Sequence, residues 1–267
     1  MRVESLMPPQ MALACEAAGE AKAARDIVTL FMLGLLAGAF IALGAVFMTV
    51  VLTGAGDLPW GVARLLAGLV FSLGLILVIL GGAELFTGDS LMIVACASRR
   101  ITVRALLRAW AIVYAGNIVG ALGTAALVLL AEFHAGGGGA VGRTALAVAH
   151  AKAGLATMPL FFSAVLCNVL VCLAVWMSFG ARSTTDKVVV IVPPIAAFVA
   201  AGFEHSIANW FLLPYALLLA HDTGGALTVT NAAHNLLVST IGNLAGGSLL
   251  VGAIYWFIHL RGRGARR

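Results

Sequence analysis

Apolar and polar positions along the chain separate into six long apolar runs, at about residues 28–52, 61–97, 105–131, 159–179, 188–219 and 234–260. A helix that crosses a bilayer takes ~20 apolar residues, so four of the runs fit a single crossing. The second and fifth are too long. Each is interrupted near its middle, by GGAELFTGD in one and GFEHSIAN in the other. One run after each interruption comes Gly-Asn-x-x-Gly, as AGNIVGAL in the third and IGNLAGGSL in the sixth. Three spans separate the copies, an odd number, so the second copy enters the membrane from the opposite side. The pattern predicts an all-α membrane protein of six transmembrane helices in an inverted 3+3 repeat, with helices two and five broken. Such repeats place their site near the midplane, between the discontinuous helices. HAGGGGAVGR, between runs three and four, reads as a flexible loop.

Composition agrees with this reading. Of 267 residues, 62% are hydrophobic and only 10% charged, against about a quarter charged in soluble domains. A water-facing surface cannot be covered with so few charges. Residues 1–27 read as a mixed amphipathic cytoplasmic segment, 28–260 as the channel domain and 261–267 as a basic cytoplasmic tail. No small-residue cleavage site precedes the first run, so no cleavable signal peptide is expected. The net charge of +5 could suggest nucleic acid, but its placement argues against that. With the N-terminus inside, the inner segments hold all Lys and Arg residues except Arg64, Arg143 and Lys152. This is the positive-inside distribution for an even number of spans. It predicts a multi-pass protein of the cytoplasmic (inner) membrane with both termini in the cytoplasm. Cys15, Cys96, Cys167 and Cys172 have neither metal-ligand nor disulfide spacing, and no metal or cofactor is expected.

The polar residues inside the runs are few. Glu84 and Glu204 occupy matching places at the two interruptions. Each precedes a helical half whose N-terminal N–H groups need acceptors, so both read as carboxylates that hold a break together. Asn117 and Asn243 match as well and read as interhelical fasteners beside glycines. Asn209 joins this structural group. His205 has no such symmetry, because its counterpart is Leu85. An ionisable group within the membrane is a functional candidate by default, and a hydrogen-bonded packing role is the plainer alternative. Thr87 offers a hydroxyl at the opposing break, or simply an extra cap. Asn168 either fastens helices or lines a pore. Taken alone, Lys152 is a solvated lysine.

The segments ELFTG, AGNIVGAL, CNVLVCLAVWMS, DKVVVIVPPIAAFVAAGFEHSIANWFLLP and IGNLAGGSLLVGAIYW together resemble the formate/nitrite transporter family, across nearly the whole chain. The resemblance implies an aquaporin-like protomer, assembled as a homopentamer in membrane lipid with one pore per protomer. It also implies roles. His205 becomes the central pore histidine, Thr87 the threonine of the gating loop, Lys152 the vestibule lysine and Asn168 a polar pore neighbour. Phe71, Leu75 and Phe198 become constrictions, with Leu85 and Phe86 in the gating loop. From the residues alone these five would be core.

The expected function is transport, without enzymatic activity, of a small monovalent anion or its weak acid. His205 protonates or stabilises the anion, and protons take part. FEHSIANWFLLP and CLAVWMS most resemble formate channels, whereas AAHNLLVSTIGN leans toward the nitrite branch. Formate is the expected substrate and nitrite the alternative, with hydrosulfide, lactate and acetate also known in the family. A redox subunit would need paired histidines or a cysteine cluster, and a water channel would need its Asn-Pro-Ala repeats. A purely structural or sensor subunit would leave the broken repeats unexplained.

Overall fold

The computed structural model describes residues 5–220 and 226–262. Every regular element among them is helical. Helix α1 (Pro8–Ala23) lies before the first span, α2 (Ile27–Leu52). The second span is α3 (Trp60–Phe71) and α4 (Leu73–Gly81), followed after a break by the short α5 (Phe86–Asp89), a 3₁₀ turn and α6 (Ile93–Ala97). Then come α7 (Val103–Leu130), α8 (Ala140–Ala153), α9 (Thr157–Gly180), α10 (Thr184–Ala201) and α11 (Ser206–Leu219). The sixth span runs through α12 (Val229–Leu244), a π-helical stretch (Ala245–Ala253) and α13 (Ile254–His259). Six of the described helices are long and apolar enough to cross a membrane.

Local chemistry sets the ends of these helices. The Asp26, Thr102, Ser183 and Thr228 side chains each accept from a backbone N–H three residues on, as N-caps do. Helices α4 and α10 both stop at a glycine in the left-handed region, Gly82 (φ 75°) and Gly202 (φ 77°). A Cβ is disfavoured there. Three extended residues follow in each case before the next helix starts.

The spans pack through small residues. A Cβ on Gly120 would lie 2.0 Å from the Leu35 carbonyl oxygen, and one on Gly246 would lie 2.2 Å from that of Val165. These glycines close the two Gly-Asn-x-x-Gly motifs. They let α7 meet α2, and the sixth span meet α9, at backbone contact.

Two elements differ from the expectation. The loop expected at HAGGGGAVGR ends at Gly139. Gly137, Gly138 and Gly139 have positive φ, and α8 then forms a 14-residue helix. Its Val141, Ala145, Ala149 and Ala153 recur every four residues on one buried face, a helical stripe of residues too small to register as an apolar run. The sixth span is not a plain α-helix but widens into the π stretch.

Candidate functional site

The two breaks are built alike. At the first, Asn117 Oδ1 accepts from the Phe86 N–H (2.9 Å), while Asn117 Nδ2 donates to the Gly34 (2.7 Å) and Glu84 (3.0 Å) carbonyls. At the second, Asn243 Oδ1 accepts from the Ser206 N–H (2.8 Å), and its Nδ2 donates to the Ala164 (2.7 Å) and Glu204 (2.9 Å) carbonyls. Backbone left unpaired at this depth would be costly. The amides of the third and sixth spans provide the missing partners.

This corrects the role expected of the two carboxylates. Glu84 and Glu204 stand at the breaks, but their side chains face cations instead of helix N–H groups. Glu84 pairs with Lys22 (2.5 Å) and with Arg25. Glu204 accepts from Lys152 Nζ (2.9 Å) and from Asn209 Nδ2 (2.7 Å). Asn209 also donates to Asn235, whose own Nδ2 reaches the Lys152 carbonyl. Asn209 therefore braces the Lys152–Glu204 pair.

The histidine and the threonine meet where the breaks face each other. His205 Nε2 is 3.0 Å from Thr87 Oγ1, and both residues are buried, at 2% and 0% exposure. His205 Nδ1 accepts the Ala208 N–H at 3.1 Å, which caps α11. An Nδ1 that accepts carries no proton. The neutral ring therefore holds its proton on Nε2 and donates it to Thr87 Oγ1. The Phe198 ring stacks beside His205 (centroids 5.8 Å), and Phe71 meets Phe198 edge-on (5.7 Å).

A cavity of about 50 Å³ opens onto this group. Its lining includes Phe71, Phe198, His205, Lys152 and Arg64. That is room for a few waters or one small anion. Leu75, Leu85 and Phe86 are buried but do not line it, and Phe86 packs on Tyr114 (4.6 Å). Asn168 is behind the threonine. Its Nδ2 donates to the Thr87 carbonyl (3.1 Å), to Ser90 Oγ (3.2 Å) and to the Asn243 carbonyl (2.6 Å), just ahead of the π stretch.

The family model described as formate/nitrite transporter matches residues 9–257. The chain belongs to this family. It is 42% identical to the formate channel FocA of Escherichia coli K12, over 96% of this chain and 95% of that one. It is 35% identical to a probable formate transporter of Methanothermobacter thermautotrophicus, over 95% and 97%. Among solved structures, a pentameric formate channel with formate bound superposes with a TM-score of 0.82 at 42% identity, covering 88% of this chain and 98% of that chain.

Several residues of this formate/nitrite transporter family member went unrecognised in the sequence. Ser90 and Cys172 join Asn168 on the Thr87 carbonyl (2.6 and 3.5 Å), so the loop is held from three sides. Lys22 Nζ also sits 2.5 Å from buried Asp89. Burial alone would lower the Lys22 ammonium, but Asp89 and Glu84 outweigh it and hold it above its ordinary range. Repeat register could have revealed Lys22. It precedes the first span by five residues, as Lys152 precedes the fourth, and each meets the glutamate of a break. Arg64, counted only as an outer charge, lines the cavity.

Proposed function

We propose that the chain is a channel for formate, assembled as a homopentamer in the cytoplasmic membrane with both termini inside. The observation that carries this reading is the His205–Thr87 pair, buried behind two phenylalanines at the meeting of the two breaks. A formate anion in an apolar constriction meets a large desolvation cost, whereas formic acid avoids most of it. Lys152 and Arg64 draw the anion into the cavity from outside. The Nε2–H of His205 and the Thr87 hydroxyl then replace its water as donors.

The bonding of His205 narrows the mechanism. To act as the acid, the ring would first have to be a cation, with an Nδ1–H directed at the Ala208 N–H. Neutral imidazole does not give up its remaining N–H proton at physiological pH. His205 therefore serves as a fixed hydrogen-bond donor, and the proton that accompanies formate across the rings comes from vestibule water. Lys152, held by Glu204, stays charged at the mouth.

Flux of formate and nitrite into proteoliposomes across an imposed pH gradient tests this. Formate flux is expected to exceed nitrite flux and to rise with outside acidity without an inflection near pH ~6.5, the ordinary histidine range. An inflection there that vanishes in His205→Asn would refute the neutral-histidine mechanism. Wild-type flux of both anions at the level of empty liposomes would refute the transport reading itself.

A further inference from the structure

We propose that Arg64 is the anion-capturing residue of the Lys152 mouth, the first group to bind a small monovalent oxyanion before it reaches His205. This rests on the transport reading above. Lys152 has the same charge, but its ammonium is already committed to Glu204 at 2.9 Å. Arg64 is bound differently. Its Nε donates to the Ala200 carbonyl (3.1 Å) and its Nη2 to that of Val199 (2.6 Å). Both acceptors are neutral and belong to the last turn of α10, where the helix dipole favours a cation. Glu204 is within electrostatic reach of both cations. Two positive groups therefore share one carboxylate, and the surplus charge of the mouth is the guanidinium's.

Geometry supports capture as well as attraction. A guanidinium has five N–H donors in a planar fork that matches a carboxylate. The two carbonyls take one each from Nε and Nη2, which leaves the Nη1 side for a ligand. The side chain is half-buried and lines the cavity that also holds Lys152 and His205. Gly202 keeps its place clear, since a Cβ there would stand 3.1 Å from Arg64 Nη2. Fixed by α10 and open on one side, the fork is preorganised for an anion of the formate or nitrite type.

The test measures initial formate influx into proteoliposomes at low and high ionic strength, for wild type, Arg64→Gln and Arg64→Lys, with outward-facing protein selected by sidedness. Capture by charge predicts that Arg64→Gln lowers influx about tenfold at low salt, the lower end of electrostatic rate enhancement. The gap closes at high salt, where the Debye length shrinks to a few ångströms. Arg64→Lys keeps the charge and most of the salt-sensitive influx. If Arg64→Gln does not assemble, Arg64→Lys decides alone, because it must retain the wild-type salt dependence. If the arginine only caps α10, lysine and glutamine variants lose flux alike at every salt concentration, and the proposal is overturned. Wild-type influx from Arg64→Gln overturns it too, while the transport reading survives. A wild type that passes neither anion overturns both.

Discussion

Replacing Asn243 with alanine removes three hydrogen bonds at one stroke. The Ser206 N–H and the Glu204 carbonyl lie in the break, and the amide is the partner the structure gives each of them there, at 2.8 and 2.9 Å. The Ala164 carbonyl, by contrast, belongs to the interior of α9, so the helix ladder still serves it. Two buried backbone groups are thus left unsatisfied, at about 1–3 kcal/mol each. The expected loss is ~2–6 kcal/mol, a large share of the 5–15 typical of a folded protein. At about 2–4 °C per kcal/mol for a chain of this size, the unfolding midpoint in detergent falls by ~5–20 °C. Asn117→Ala breaks the matching set of bonds, at 2.9, 2.7 and 3.0 Å, and falls by a similar amount. Tryptophan fluorescence on heating, with size exclusion to follow assembly, gives both numbers. A loss below about 1 kcal/mol in either variant, with water excluded from the site, would refute the view that these amides hold the breaks open.

Three further outcomes follow from the same geometry. His205→Ala removes one donor to a charged ligand, worth about 1.5–3 kcal/mol, so formate flux is expected to fall ~10–100-fold, whereas Thr87→Val loses less because its hydroxyl is the smaller donor; equal flux in both variants and wild type would contradict the site. Lys152→Met leaves the Glu204 charge buried without its cation, at about 3–5 kcal/mol; the double variant with Glu204→Gln regains stability but not flux, and thermal midpoints with influx rates separate the two. Burial pushes the Cys15 thiol up to about 12, so it reacts only as pH climbs toward that value; maleimide at neutral pH is expected to label partly exposed Cys96 and spare Cys15, and labelling of Cys15 in folded protein would show that α1 undocks.

Much of the fold could be read from the sequence because membrane depth leaves few options for backbone. The long second and fifth runs had to break, since neither fits one crossing. The glycines at 82 and 202, with the charges just beyond them, marked where. Gly-Asn-x-x-Gly was legible for a related reason: glycine admits the facing backbone and asparagine can serve both an N–H and a carbonyl. What the sequence did not reveal is which polar group meets which. Glutamate and asparagine are both plausible caps for a helix start, and the choice depends on which side chain reaches across from another span. Only the packed structure shows that the amides take the backbone and the carboxylates take the lysines. Helix α8 was hidden by its alanines, and Arg64 by the topology count, where an outer arginine is merely a charge on the less positive side.

The repeat also explains why the two ends of the site differ. Asn117 and Asn243 must do the same job, because each break presents the same backbone groups, and their bonding is nearly superimposable. The cations are under no such constraint. At one end Lys22 and Arg25 face Glu84 and Asp89, so the charges balance. At the other, Lys152 and Arg64 share Glu204, and one positive charge is left over. A pore built on a symmetric scaffold thus acquires a positive mouth and a neutral one. An anion is concentrated at the positive mouth without any change in the barrier between the phenylalanines. Adding a carboxylate to that mouth, for example by Gln substitution of Arg64, should therefore be unnecessary to abolish the difference: removing the single surplus charge is enough to make influx and efflux respond alike to salt.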